Sequence, residues 1–329
     1  MYRNAVVIVC FFAFLVSWSS VIFAQFGNDN KKAPPAANVA KLDKQKVQKW
    51  KCGITVTATG GPCLDLFGTC PVPTDWPEQT VKIVEEEISP SVQRVAYRTL
   101  DNGVKQMLVS IPRLATGEKA VALITFEVTR SSIAPPEETS KLKIPEKMPL
   151  NIAKFLGPSP MIESRNPQIV KLAKEILSQK DGVTDWEKVE GFYDWVREHV
   201  EYKNGKLKGA VAALKDKTGD CEEMTSLFIA LCRASKIPAR TVWIPDHCYP
   251  EFYLVDEKGE GHWYPCQAAG TRDFGGMPEF RPVLQKGDNI KVPERKDTVR
   301  YCPEHLTGTP SPGGGKPSAE FVRQLLPGD

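Results

Sequence analysis

Cys221 is the residue of this chain best placed to do chemistry. It follows Thr218-Gly219-Asp220 and opens the apolar-periodic run Glu222 to Ser235, which breaks at Ile237-Pro238. A thiol attacks a carbonyl carbon as thiolate, and the unpaired N–H groups at a helix N-terminus favour that anion. A base must then take the thiol proton and later return it to a leaving group. His247 follows in the next strand–turn–strand stretch, where a strand returning beside the helix can present it. The imidazole needs a partner for its far N–H, and Gln267, on the strand after that, carries a side-chain carbonyl suited to the task. Nucleophile, base and orienting residue in this order imply acyl transfer through a thioester.

The elements that must bring the three together are legible as patterns. Pro167 is a good first-turn residue, and Ile169, Leu172, Ala173, Ile176 and Leu177 form one apolar stripe behind it, which predicts a helix. Thr184 or Asp185 caps a second helix through Trp186, Val189, Phe192, Tyr193, Val196 and Val200. His199, in its last turn, suits the negative end of the helix dipole and reads as structural. Ala210 to Leu214 forms a short helical piece that delivers the Gly219 turn, with Asp220 as a turn and cap residue. In the cysteine helix Met224, Leu227, Phe228 and Leu231 make a core stripe, leaving the opposite side and the N-terminal tip to face a groove. Arg240 to Ile244 reads as a strand, and Pro245-Asp246 as the turn into His247.

Taken together, Gly219-Asp220-Cys221, the run Leu227 to Ala234 and Ile237-Pro238-Ala239-Arg240 resemble the core of the transglutaminase-like superfamily of papain-type thiol enzymes. His247 stands where that family has its histidine, just ahead of the strand Glu251-Phe252-Tyr253-Leu254. Trp263-Tyr264-Pro265-Cys266-Gln267 resembles the family's Trp-x-Pro-x-Asp strand, which carries the third member of the triad. Phe192 to Val196 and Tyr202 fit the helix placed before the cysteine. The resemblance covers roughly residues 167–270 and departs in one place, Gln267 replacing the acidic residue. It implies an α+β fold, with helices packed on an antiparallel sheet, and catalytic roles for Cys221, His247 and Gln267. A glutamine accepts the ring N–H but does not stabilise an imidazolium with a full charge. A Cys–His pair tolerates this better than Ser–His, because thiol and imidazole have similar pKa values.

Upstream the periodicity changes to two. Val92 to Thr99 and Val104 to Ile111 flank Asp101-Asn102-Gly103, a hairpin signal because Asn and Gly accept positive φ. Ala120 to Arg130 alternates again, so a small antiparallel β domain is expected at residues 51–134, ahead of the core. It carries no nucleophile–base pair and no phosphate loop, and is assigned to packing or substrate presentation. Cys52 to Cys70, with Gly60-Gly61-Pro62, reads as a loop-rich start stapled by cysteines. Residues 135–166 are proline-punctuated connector, 167–305 the transglutaminase-like domain, and 306–329 a Gly/Pro-rich tail with a short docking helix at Ala319 to Leu326.

The first 24 residues read as an export signal: Arg3, an apolar run from Ala5 to Val16, and a cleavage site near Ala24. An uncleaved membrane anchor is the alternative. Residues 25–50 are rich in Asn, Lys, Pro and Ala and read as a flexible tether. The chain has 329 residues and a formal net charge of +3 with no basic stripe, which leaves nucleic acid without a footprint. An exported location permits disulfides. With Cys221 free and Cys232 a buried thiol on a helix face, Cys52, Cys63, Cys70, Cys248, Cys266 and Cys302 are the bridge candidates, of undetermined connectivity.

Alternatives stay open at each position. Cys221 is also readable as a buried structural cysteine, or as half of a disulfide with Cys248 or Cys266. His262 competes with His247, and Cys221, His247, Cys248 and Cys266 are zinc-binding residue types without zinc-site spacing. Trp243 and Trp263 are candidates for lining the acyl groove, or simply core. No cofactor or metal is expected. Glu85-Glu86-Glu87 and Glu137-Glu138 read as solvated faces. The expected partner is a protein or peptide substrate, with membrane contact only if the N-terminal segment is retained. Two classes of function follow: a peptidase, amidase or acyl transferase acting through Cys221, or a catalytically weak transglutaminase-like fold serving as a protein- or wall-binding module.

Overall fold

Alternating apolar residues at 50–58 and 120–128 are what a half-buried strand requires, and both segments form strands whose inward faces meet in one core. The computed structural model describes residues 41–179, 182–309 and 313–328, which lie in a unit spanning Ala36–Asp329. The expected export signal and most of the tether lie outside the described residues.

Six strands come first: β1 (Leu42–Thr59), β2 (Cys63–Val72), β3 (Gln79–Ile88), β4 (Arg94–Thr99), β5 (Lys105–Leu114) and β6 (Lys119–Ile133). The 101–103 hairpin forms as expected: β4 and β5 pair antiparallel around one tight turn, with Asn102 and Gly103 at φ 62° and 78°. Two strands from the far end of the chain complete the arrangement, β13 (His305–Thr309) and β14 (Lys316–Leu325). The result is two antiparallel four-stranded sheets, in the orders β14-β1-β6-β3 and β13-β2-β5-β4, packed face to face on Trp50, Ile54, Leu66, Val109, Ile124 and Phe126. Gly53, at φ 150°, lies so close to β6 that a Cβ there would meet the Ala122 carbonyl oxygen at 2.1 Å.

Three expectations are corrected here. Residues 42–50 are not tether but the first half of β1, exposed from Leu42 to Val47 and entering the core at Trp50. Their backbone pairs with β6 from Leu42↔Ile133 to Trp50↔Phe126, and this ladder forms without an apolar face. The span Cys52 to Cys70 is not a stapled loop but most of two strands, and none of the eight described cysteines is disulfide-bonded. Instead Cys52, Cys63, Cys70, Cys248, Cys266 and Cys302 are all buried as free thiols. The tail does not dock as a helix. Ala319 to Leu325 lies in β14, because ten consecutive residues pair with β1 and supply the backbone partners that its helix-favouring Ala, Glu, Arg and Leu side chains do not. The β layer is therefore built from both ends of the chain.

Between those ends lies the α+β core: α1 (Leu150–Ala153), α2 (Pro167–Ser178), α3 (Asp185–His199), β7 (Glu201–Tyr202), α4 (Ala210–Asp216), β8 (Thr218–Gly219), α5 (Cys221–Ala234), β9 (Ala239–Ile244), β10 (His247–Val255), β11 (Gly261–Pro265) and β12 (Gln285–Lys286). The last four form an antiparallel sheet in the order β11-β10-β9-β12. Asn166 caps α2 ahead of Pro167, and Thr184 with Glu187 forms a capping box on α3. Helix α5 is the hub. Every residue from Glu223 to Arg233 is buried, because α2, α3 and α4 cover one side and β9 and β10 the other. The expected open side of this helix does not exist, and only its N-terminal tip reaches a cavity. At its far end the buried Arg233 pairs with Asp288 at 2.8 Å and donates to the Ala239 carbonyl. The β layer is joined to this core by Arg130, whose Nη2 donates to the Tyr249 hydroxyl at 2.8 Å, and by the Ile133–Met277 backbone pair.

Candidate active site

The tip of α5 is built by its own sequence. The Asp220 carboxylate accepts the Glu222 N–H at 2.8 Å, and Glu223 returns the contact by accepting the Asp220 N–H at 3.0 Å. Glu223 is itself buried and also accepts the Lys208 N–H at 2.9 Å, which ties the preceding loop to the helix start. Gly219 is required by close approach: a Cβ there would lie 2.5 Å from Glu223 Cβ. This turn sets Cys221 in the first turn of α5, where the helix dipole favours an anion.

The β9–β10 hairpin brings the histidine. Its turn places Asp246 at φ 57° and pairs His247 with Ile244, which puts His247 at the sheet end facing the α5 tip. Past β11 the Cys266 N–H bonds the Pro250 carbonyl at 3.0 Å and carries Gln267 alongside the start of β10. His247 Nε2 donates to Gln267 Oε1 at 2.8 Å. With Nε2 so engaged, Nδ1 is the nitrogen left for the Cys221 thiol, which lies within hydrogen-bonding reach of the ring. Cys221, His247 and Gln267, predicted together, are thus found together.

Their electrostatics are mutual. Contact with Cys248 is the largest influence on the Cys221 thiol and lowers it. Burial opposes that effect, His247 reinforces it, and the net value falls to about 5. Burial pushes His247 down, but its contacts with Cys221 and Gln267 outweigh burial and hold it above its ordinary value. A thiol below its imidazole gives a thiolate–imidazolium pair in the pH range between the two.

The pair opens into a cavity of about 400 Å³ lined by Tyr202, Trp243, Asp246, Arg300, Tyr301 and Arg323. A cavity of about 530 Å³ elsewhere, between β1 and the C-terminal residues, holds neither nucleophile nor base. Trp243 faces the site as expected, its Nε1 donating to the Gly287 carbonyl at 3.1 Å and its ring 4.9 Å from that of Tyr301. Trp263 does not. Alternation along β11 sends Tyr264 inward against Trp186, whereas Trp263 packs on Phe155 and under Arg240 on the other face. His262 is also excluded: it is buried against Asp256 at 3.3 Å, within the β10–β11 hairpin. His199 stacks on Trp195, in the structural role its helix position implied.

Several contributors escape sequence reading. Arg197 of α3 holds the Gln267 loop through the carbonyls of Gln267, Ala268 and Gly270, at 3.0, 3.3 and 2.9 Å. Arg300, paired with Glu222 and lying over Trp243, and Arg323, paired with Glu304, wall the cavity from beyond the core. Only tertiary packing brings these side chains in, and no local motif marks them.

Residues 170–268 match the Transglutaminase-like superfamily. This transglutaminase-like segment contains all three of Cys221, His247 and Gln267. Among solved structures, a candidate cysteine protease from Cytophaga hutchinsonii is similar at 18% identity and a TM-score of 0.56, covering 87% of this chain and 93% of that one. It shares the fold, extending the likeness beyond the transglutaminase-like segment into the β layer. A candidate protease from Parabacteroides distasonis matches at 12% identity and a TM-score of 0.28, over 68% of this chain and 47% of that one, and carries no weight. No curated protein matches.

Proposed function

We propose that this is an exported thiol enzyme that forms an acyl-thioester on Cys221 and acts on protein or peptide substrates as a peptidase, amidase or acyl transferase. The observation that carries this reading is the His247 ring, held by Gln267 at 2.8 Å through Nε2 with its other nitrogen left for the Cys221 thiol. The thiolate attacks the substrate carbonyl, the imidazolium returns its proton to the departing amine, and the thioester remains. Water or a second amine, deprotonated by the now neutral imidazole, then takes the acyl group. The Cys221 N–H lies outside the Asp220 capping contacts and is assigned to the developing oxyanion. Gln267 serves as a neutral orienting group, in the place where the family carries an acid.

That neutral residue is also what favours the second reading, a binding module that keeps the fold without turnover. A burst experiment separates the two. Under the enzyme reading, p-nitrophenyl acetate releases one nitrophenolate per chain in a fast phase, with the acetyl group mapped to Cys221 by mass spectrometry and no burst from Cys221→Ala. A wild-type protein with no burst, or with acetyl on another residue, sinks the enzyme reading. Peptide cleavage in water against incorporation of an added primary amine then distinguishes hydrolase from transferase.

A further inference from the structure

Behind the Cys221 sulfur lies a second thiol that the mechanism above leaves unused. Cys248 follows His247 on β10 and points the other way, into the space between β10 and α5, where it is 2% exposed. Its sulfur is 3.6 Å from the Cys221 carbonyl oxygen and within hydrogen-bonding reach of the Cys221 sulfur. One helical turn beyond Cys221, on the same face of α5, Thr225 is 1% exposed. Its hydroxyl has no hydrogen-bond partner, and it is close enough to the Cys248 thiol to influence it. A buried hydroxyl left without a partner is costly, which makes the adjacent Cys248 sulfur the acceptor it has reason to turn to.

We propose that Cys248 is a positioning residue for the nucleophile: the Thr225 hydroxyl donates to the Cys248 sulfur, and the Cys248 S–H donates to the Cys221 thiolate. Resting on the thiolate reading of Cys221, this assigns to a buried side-chain pair part of the stabilisation that a charged triad member supplies elsewhere. Burial, first, and the neighbouring Cys221, second, push the Cys248 thiol well above its ordinary range, so it keeps its proton and serves as a donor, not as a competing nucleophile. The Cys248 proton has two acceptors in reach. It rests on the Cys221 carbonyl when Cys221 is a neutral thiol and turns to the sulfur when the thiolate forms. A hydrogen bond to the charged form of an acid favours that form, and the bond is lost when the thioester consumes the anion. The contact is therefore strongest in the free enzyme, where it holds the sulfur ready for attack.

The test is the pH dependence of Cys221 alkylation by iodoacetamide, followed by peptide mass mapping, in wild type, Cys248→Ala, Cys248→Ser and Thr225→Val, with a melting curve for each. The expected wild-type midpoint lies far below the ordinary thiol value of about 8.5. Cys248→Ala raises it by about one pH unit, the low end for a hydrogen bond to a charged group. Cys248→Ser restores it through its hydroxyl, and Thr225→Val raises it by less. Should Cys248→Ala fail to fold, the isosteric Thr225→Val decides by the direction of its shift. A low wild-type midpoint that neither substitution moves overturns the relay alone, as does an equal shift in the alanine and serine variants, which marks packing. A wild-type midpoint near the ordinary value overturns the thiolate reading itself.

Discussion

Gln267→Ala tests the least conventional member of the site. The His247–Gln267 hydrogen bond is 2.8 Å long and half-buried, and in the working enzyme its donor is a charged imidazolium. A hydrogen bond to a charged group contributes about 1.5–3 kcal/mol, which at about 1.4 kcal/mol per decade is about a 10- to 150-fold loss of rate. The loss belongs to orientation, since Cys221 keeps its place on α5 and its contact with Cys248. Acylation by p-nitrophenyl acetate, measured as the second-order rate of the burst, reads this directly. Gln267→Asn, one methylene shorter, falls with alanine. Gln267→Glu supplies the charge that the family pattern carries and raises the imidazole further. A Gln267→Ala enzyme within about threefold of wild type refutes the reasoning, because a bond worth so little does not orient the ring.

Two further outcomes follow from the same geometry. Turnover of an amide substrate rises as pH climbs through about 5, where Cys221 ionises, and falls again as His247 deprotonates above its ordinary value. With a nitrophenyl ester, whose leaving group needs no proton, the alkaline fall disappears, and a parallel fall for both substrates contradicts the assignment of His247 as acid. Asp288→Ala strands the buried Arg233, whose partner it is at 2.8 Å. Urea denaturation is expected to show a loss of about 3–5 kcal/mol, and a loss under about 1 kcal/mol contradicts the reading of this pair as a buried tie between α5 and the 288 loop.

What the chain revealed before folding was local chemistry. Asp220 and Thr184 cap helices because their side chains serve backbone N–H groups two or three residues on, a relation readable in any sequence. Cys221, His247 and Gln267 were legible for a related reason: each sits at an element boundary that its neighbours announce. The misreadings share an opposite cause. Leu42 to Lys49 have no strand-like apolar alternation of their own and Ala319 to Leu325 only the pair Ala319 and Phe321, and both are strands because distant residues supply their hydrogen-bond partners. Trp263, readable as groove or as core, packs on Phe155 and Arg240 away from the groove because a one-residue step along β11 reverses orientation. Arg197, Cys248 and Thr225 act only through packing between α3, α5 and β10, and their residue types are unremarkable until those elements meet.

The last strand has a consequence for how this protein comes into being. While the chain is being synthesised, β1 and β2 wait without the neighbours that β13 and β14 provide, each leaving one row of backbone groups unpaired, open to strands of other molecules. Arg323, on that same late strand, also walls the cavity in front of Cys221. Closure of the sheets and assembly of the reactive pocket thus wait on the same late segment, and a chain truncated before β13 forfeits both, however intact its nucleophile.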